Sequence, residues 1–355
     1  AIPLFILAGS IMNTAGISRR LIAFASALVG FVKGGLAMIN IAVSMFFAEI
    51  SGSAVADVAA LGSILIPAMK KKGYPGPFSA AVTSSSASLA IIIPPSIPMI
   101  LYAVMAQSSV VQLFVAGIIP GILGGFMMMF AAYVYARKKD LPVEEAFDFQ
   151  NLKKTAKEAA LAFTLPLIIL GGIFGGVVTA TEGAGLAVVA ALLIGFIHRE
   201  LDFKSFYKAA SEGATQTAVV MLLVGASVLL GEFLTVEQIP QKVAQSIIGI
   251  TNNKYFVLMI LNVFLLIIGL FLHSAAAIIL TVPIVMPLVN AVGIDPVHFG
   301  IIVTLNLAIG QQTPPVASVL VTACSVAKAD IWEVTRANIM FIGVLLLLLI
   351  LVTYV

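Results

Sequence analysis

Ser84-Ser85-Ser86-Ala87-Ser88-Leu89-Ala90-Ile91-Ile92-Ile93-Pro94-Pro95-Ser96-Ile97-Pro98 and Asn306-Leu307-Ala308-Ile309-Gly310-Gln311-Gln312-Thr313-Pro314-Pro315 decide how this chain folds. Each string sits inside an apolar stretch, about 77–108 and about 297–327, that is too long for one untilted membrane span. Two consecutive prolines remove two backbone donors and push the residue before them out of helical geometry. Each stretch therefore reads as a membrane helix broken near mid-depth. The breaks also share a spacing: Pro67 and Pro287, Gly73 and Gly293, Pro94 and Pro314, and Pro95 and Pro315 all stand 220 positions apart. The chain is an internal repeat.

The sequence around the breaks belongs in lipid. Of 355 residues 61% are hydrophobic and 10% charged, and the mean hydropathy is +1.14, whereas soluble domains carry about 25% charged residues. This excludes cytosolic enzymes and nucleic-acid binders and points to an all-α polytopic protein whose partner is the bilayer. A single cysteine, Cys324, excludes an intrachain disulfide. Simple spans are expected at 1–16, 111–136, 158–178, 180–198, 213–231 and 337–355, and amphipathic interfacial segments at 17–33 and 236–251. Paired shorter stretches meeting at Ser51-Gly52-Ser53 and His273-Ser274 read as re-entrant hairpins, 35–72 and 255–292. The resulting organisation is a first repeat over 1–136, a cytoplasmic loop over 137–157, connecting spans and an amphipathic segment over 158–212, and an inverted second repeat over 213–355. Both ends fall within apolar stretches, which suggests a piece trimmed from a longer protein.

Charge gives the orientation. If the second repeat is inverted, Arg19, Arg20, Lys33, Lys70–Lys72, Arg137–Lys139, Lys153, Lys154, Lys157, Arg199, Lys204, Lys208, Lys328 and Arg336 all face the cytoplasm. Those are 17 of the 19 cations, with Lys242 and Lys254 left outside, as the positive-inside rule requires. A parallel repeat would need a further span between the halves, and none is visible.

Inverted repeats with interrupted helices build sites at the midplane, where freed carbonyls coordinate cations and half-helix N-termini attract anions. Sodium is accordingly expected at two symmetric places. One joins Ser51, Gly52 and Ser53 to the break at Ala90 and Ile93; the other joins Leu272 and His273 to Gly310 and Thr313. Substrate contacts are expected from Ser53, Ala54, Ser86, Ser96, Ser274, Asn306, Gln311 and Gln312, with no arginine or lysine at that depth. No cofactor is called for beyond sodium as coupling ion. The chain has no P-loop for ATP and no H-E-x-x-H zinc motif, so it is read as a carrier, not an enzyme.

The strings Ile2-Pro3-Leu4-Phe5-Ile6-Leu7-Ala8-Gly9, Ser51-Gly52-Ser53-Ala54-Val55-Ala56-Asp57, Ile92-Ile93-Pro94-Pro95-Ser96-Ile97-Pro98 and Thr313-Pro314-Pro315-Val316 strongly resemble the large membrane subunit of TRAP transporters, the tripartite ATP-independent periplasmic family. The resemblance implies an elevator-type secondary transporter of the bacterial inner membrane, driven by sodium. It also implies two partners, a small four-helix membrane subunit and a periplasmic substrate-binding protein that delivers an organic acid. Dicarboxylate-type members are more often apolar where this chain has Gln311 and Gln312, which leans toward a hydroxylated substrate such as sialic acid. Two other readings share the composition: a stand-alone divalent-anion:sodium elevator carrier, and a scaffold subunit of a membrane enzyme.

Overall fold

The computed structural model describes residues 1–14, 17–51, 53–144, 146–251 and 253–355, with side-chain surroundings at all of these except 18, 49–51, 231 and 235. Among them every regular element is helical. α1 (Ile2–Thr14) and the amphipathic α2 (Ile17–Val29) lead into a hairpin of α3 (Gly35–Ser51) and α4 (Ala54–Lys71). The first broken stretch is α5 (Gly76–Ala87), a 3-10 turn over Ser88–Ile91, and α6 (Ile97–Ala106), followed by α7 (Val110–Lys138). After α8 (Phe149–Phe174) and α9 (Ala180–Ile197) the pattern recurs. It runs through α10 (Phe203–Val236), α11 (Ile239–Ile248), α12 (Lys254–Phe271), α13 (Ser274–Ala291), α14 (Pro296–Gly310), α15 (Ser318–Ala327) and α16 (Ile331–Tyr354). Among the described residues α7, α8, α9, α10, α12, α13 and α16 are long and apolar enough to cross a membrane.

The 220-residue offset carries over into three dimensions: added to the bounds of α4 it gives those of α13. Both helices end at a glycine in the left-handed region, Gly73 at φ +85° and Gly293 at φ +70°, a conformation that costs glycine nothing and stops a helix. Both breaks hold a cis proline pair, Pro94-Pro95 and Pro314-Pro315. Packing is exchanged between the copies: α6 lies on α13 while α15 lies on α4, and α3 and α12 each lie on their own break. Such reciprocity is the signature of a two-fold relation. Because the two spans α8 and α9 separate the copies, α10 starts on the membrane face where α7 ends, and the second copy runs inverted.

Two close approaches fix the breaks. A Cβ on Gly117 of α7 would fall 2.6 Å from the Ile92 carbonyl oxygen, and one on Gly121 would fall 2.5 Å from the Ile93 side chain. In the second repeat a Cβ on Gly310 would fall 2.4 Å from the Gly269 backbone. Neither crossing has room for a side chain.

Two boundaries differ from the sequence reading. The 137–157 loop is shorter, because α7 runs on to Lys138 and α8 already starts at Phe149, where Asp148 accepts the Gln150 amide at 2.9 Å. The amphipathic stretch before 213 is no separate segment: it forms the first turns of α10, one continuous helix of 34 residues. No glycine or proline interrupts 203–212 to stop it.

Candidate functional site

The hairpin tips and both breaks converge on one cavity of about 670 Å³. Its lining residues pair at the repeat offset: Ser53 with His273, Ala54 with Ser274, Val55 with Ala275, Ile91 with Gln311, and Pro98 with Ser318. The cavity therefore lies on the pseudo-two-fold axis. α10 closes one side through Thr215, Gln216 and Val219, and α1 contributes Ile6.

Four helices begin here. Ser53 is the N-cap of α4, and its hydroxyl accepts the Ala56 amide at 3.5 Å. His273 caps α13 without a side-chain hydrogen bond, Ala317 precedes α15 in the left-handed region, and Ser96 caps α6. The first amides of a helix have no intrahelical partner and carry partial positive charge. Among the described residues no lysine, arginine, aspartate or glutamate lines the cavity. Positive potential in this chamber thus comes from the N-terminal ends of α4, α6, α13 and α15. The two faces differ chemically: the second repeat supplies His273, Ser274, Gln311, Ser318 and Thr322, while the first supplies Ser53 among apolar neighbours.

Of the residues expected at the site, Ser53, Ala54, His273, Ser274 and Gln311 line the cavity. The Gln311 Oε1 accepts from the Ser318 hydroxyl at 3.4 Å, which joins the second break to the start of α15. Gly52 and the Ser51 side chain lie outside the described residues. The sodium expectations at Ala90, Ile93, Leu272, Gly310 and Thr313 concern backbone and hydroxyl oxygens beside the lining, not in it. Ala90 and Ile93 are buried, the latter against α7, and Leu272 is the extended C-cap of α12. The Thr313 hydroxyl donates to the Ile309 carbonyl at 3.0 Å.

Four expected substrate contacts point elsewhere. Ser86 meets Ser44 of α3 at 2.9 Å, and Asn306, its equivalent one repeat later, donates to Asn262 of α12 at 2.7 Å. These are matched polar rungs between each broken helix and its hairpin. The Ser96 hydroxyl donates to the Ile91 carbonyl at 2.7 Å, closing the first break on itself. Gln312 is fully buried and donates to the Ser84 carbonyl at 2.7 Å, while Asn338 of α16 donates to Gln312 Oε1 at 3.5 Å and accepts from Ser85 at 2.5 Å. Gln312 is a brace between the repeats. Gln311 lines the chamber, and its neighbour Gln312 does not.

Thr215, Gln216, Ser318 and Thr322 line the cavity and were missed. A Thr-Gln pair at the start of the apolar 213–231 run was a visible signal. Ser318 and Thr322 lie at i and i+4 beyond the second proline pair, so they share one face of α15.

Comparison with known proteins bears on this geometry. The model of the tripartite ATP-independent periplasmic transporter, DctM component, matches residues 1–355. The chain belongs to the DctM family. This DctM-family chain is 43% identical over its full length to the isethionate TRAP transporter permease protein DctMQ of Oleidesulfovibrio alaskensis, of which it spans 56%. It is 39% identical over its full length to a C4-dicarboxylate TRAP transporter large permease protein DctM of Pseudomonas aeruginosa, covering 83% of it. Over 95% of its length it is 37% identical to the sialic acid TRAP transporter large permease protein SiaM of Vibrio cholerae, covering 79% of that chain. In fold alone it is similar to the YdaH transporter of Alcanivorax borkumensis, at a TM-score of 0.69 and 15% identity over 99% of this chain and 85% of that one. The three sequence relatives are named as TRAP transporter permease proteins, so the DctM chain is a multi-pass transporter subunit and not an enzyme.

Proposed function

We propose that the chain is a sodium-coupled secondary transporter of a small organic anion across the bacterial inner membrane, receiving its substrate from a periplasmic binding protein and working with a small membrane subunit. The observation that carries this reading is the convergence of four helix N-termini on one uncharged chamber. An acid group entering it meets unpaired amides but, among the described residues, no lysine or arginine, so part of its charge must be balanced by something that arrives with it. A hard monovalent cation suits the surroundings, because the backbone carbonyls at the ends of α12 and α14 and the hydroxyls of the chamber are oxygen donors. The relatives named for isethionate, C4-dicarboxylates and sialic acid have an acid group in common.

Gln312 is spent on bracing, and Gln311 remains with Ser274, Ser318 and Thr322 as the hydroxyl-recognising wall. The acid group then sits between the tips and the rest of the molecule lies against the second repeat. Motion of the elevator kind would carry the hairpins and broken helices, which pack on each other across the repeats, relative to α1, α10 and the lipid-facing spans.

Reconstitution tests the whole reading. Liposomes holding the chain and its small subunit should accumulate substrate only with the binding protein and an inward sodium gradient together. Uptake without binding protein would favour the stand-alone carrier, and no uptake under any combination would favour a scaffold.

A further inference from the structure

Beside the central chamber α1, α4 and α10 enclose a second cavity of about 360 Å³. The two share Ile6, Ser53, Ala56, Ala59 and Gln216 in their walls, so they adjoin. Their chemistry differs in one respect: the second contains a charged residue, Glu212. Ser10 and Asn13, one turn apart on α1, continue the face begun by Ile6 and line the cavity opposite Glu212 and Gln216 of α10. α1 and α10 cross closely there, since a Cβ on Gly213 would lie 3.4 Å from the Ser10 hydroxyl and 3.5 Å from the Leu7 Cα.

The carboxamide oxygen of Asn13 is buried and has no hydrogen-bond partner among the described residues, a state that native structures rarely leave unexplained. The same cavity is lined by two hydroxyls, Ser10 and Ser53, a second carboxamide and a single carboxylate. These are hard oxygen donors with one compensating negative charge, in a space roomy enough to keep part of a hydration shell. A cation answers this donor set and a second anion does not. Lys208, one turn back on α10, reaches Glu212 at 3.9 Å, but both side chains are largely exposed and the pairing is screened. The cavity lies toward the C-terminal end of α1 and the N-terminal part of α10. At that end Arg20 pairs with Glu200 at 2.8 Å, on the cation-rich membrane face.

We infer that the second cavity is a staging site for a partly hydrated monovalent cation, held by Glu212, Asn13 and Ser10 between the central chamber and the aqueous phase. The ion's role as coupling ion rests on the proposed function; its binding can be measured without transport.

Thermal unfolding of the purified chain, titrated with sodium chloride against choline chloride at constant ionic strength, reads the site directly. Glu212→Gln should raise the sodium concentration for half-maximal stabilisation by about tenfold, with Asn13→Ala acting in the same direction. Lys208→Met should lower it modestly, because the competing ammonium is gone. Opposite shifts from two exposed neighbours would not arise from a structural defect. Wild-type titration curves in Glu212→Gln and Lys208→Met, or no sodium stabilisation in the parent chain, would overturn the assignment. If stabilisation depends on Glu212 while liposomes show no sodium-driven uptake, the transport reading fails and the site stands. If uptake is sodium-driven and both variants titrate like the parent, the reverse holds.

Discussion

Gln311 and Gln312 are neighbours in sequence with separate duties, and substituting them one at a time should separate those duties. Gln312→Leu removes an acceptor from the buried Asn338 amide and the hydrogen bond to Ser84, and a buried polar group left short of a partner costs ~1–3 kcal/mol. The variant should therefore melt several degrees lower in detergent, with substrate affinity changed less than stability. Gln311→Leu should do the opposite, keeping the melting temperature and weakening binding of a hydroxylated acid roughly five- to tenfold, the loss of about one hydrogen bond. Calorimetric titration beside a melting curve decides it, and parallel losses in both variants would remove the division. Polar residues next to a proline pair were legible as a break because lipid offers them no partner. Their individual directions were not, because these depend on the turn taken after Gly310 and on Asn338 of α16, a residue that contacts the break only once the chain has folded.

Elements explain why the breaks stay where they are. Gly310 meets Gly269 backbone to backbone, and Gly310→Ala must separate α12 from α14; overpacking costs ~1–3 kcal/mol, and the upper end is expected where backbone is the obstacle. Sodium-dependent stabilisation should fall with it, since the second tip and second break separate together; a fully active, equally stable variant would contradict the close crossing. A second device is the segment between α7 and α8, which straps the ends of the first hairpin. The Pro142 carbonyl accepts the Gly34 and Gly35 amides at 3.1 and 3.4 Å, and the Glu144 amide donates to Gly30 at 3.0 Å. Lys33 pairs with Asp140 at 2.5 Å and Lys72 with Glu144 at 3.3 Å. Burial pushes the Tyr74 hydroxyl up to about 12, so it stays a donor to Pro142. Hydrogen bonding and then the charge of Lys33 hold the Asp140 carboxyl below its ordinary value. A lowered folded-state value means that the contribution is present above the ordinary carboxylate range and is lost as pH falls through the lowered one. Asp140→Asn should imitate that loss at neutral pH, and hydrogen exchange at Gly34 and Gly35 should quicken several-fold; unchanged exchange would show that the backbone bonds alone hold the strap. Nothing in the sequence announced this strap, because its strongest bonds run through main-chain groups that any residue possesses.

The whole molecule is organised by one symmetry operation, and its direction relative to the membrane can be tested. The offset of 220 was readable because proline and glycine mark the same turns in both copies, and the exchange of α6 and α15 between hairpins gives it physical form. Inversion then dictates that the turn after α13 and the segment before α8 lie on opposite faces, with 17 of 19 cations on the face of the latter. Asp148 and Asp295 are poor probes for this, since each accepts a backbone amide at the start of its helix and losing a cap costs about 1 kcal/mol. Ala146 and Asn290 are exposed neighbours without that duty. In a Cys324→Ala background, a membrane-impermeant maleimide added to intact cells should label Asn290→Cys and spare Ala146→Cys until the membrane is opened. Labelling of Ala146→Cys alone in intact cells would turn the molecule over. It would place the second cavity and Glu212 on the periplasmic side, making the proposed cation site an entrance for the ion instead of its exit. Labelling of both would break the inverted repeat itself, because two sites on one face require an odd span that neither the sequence nor the helix order contains.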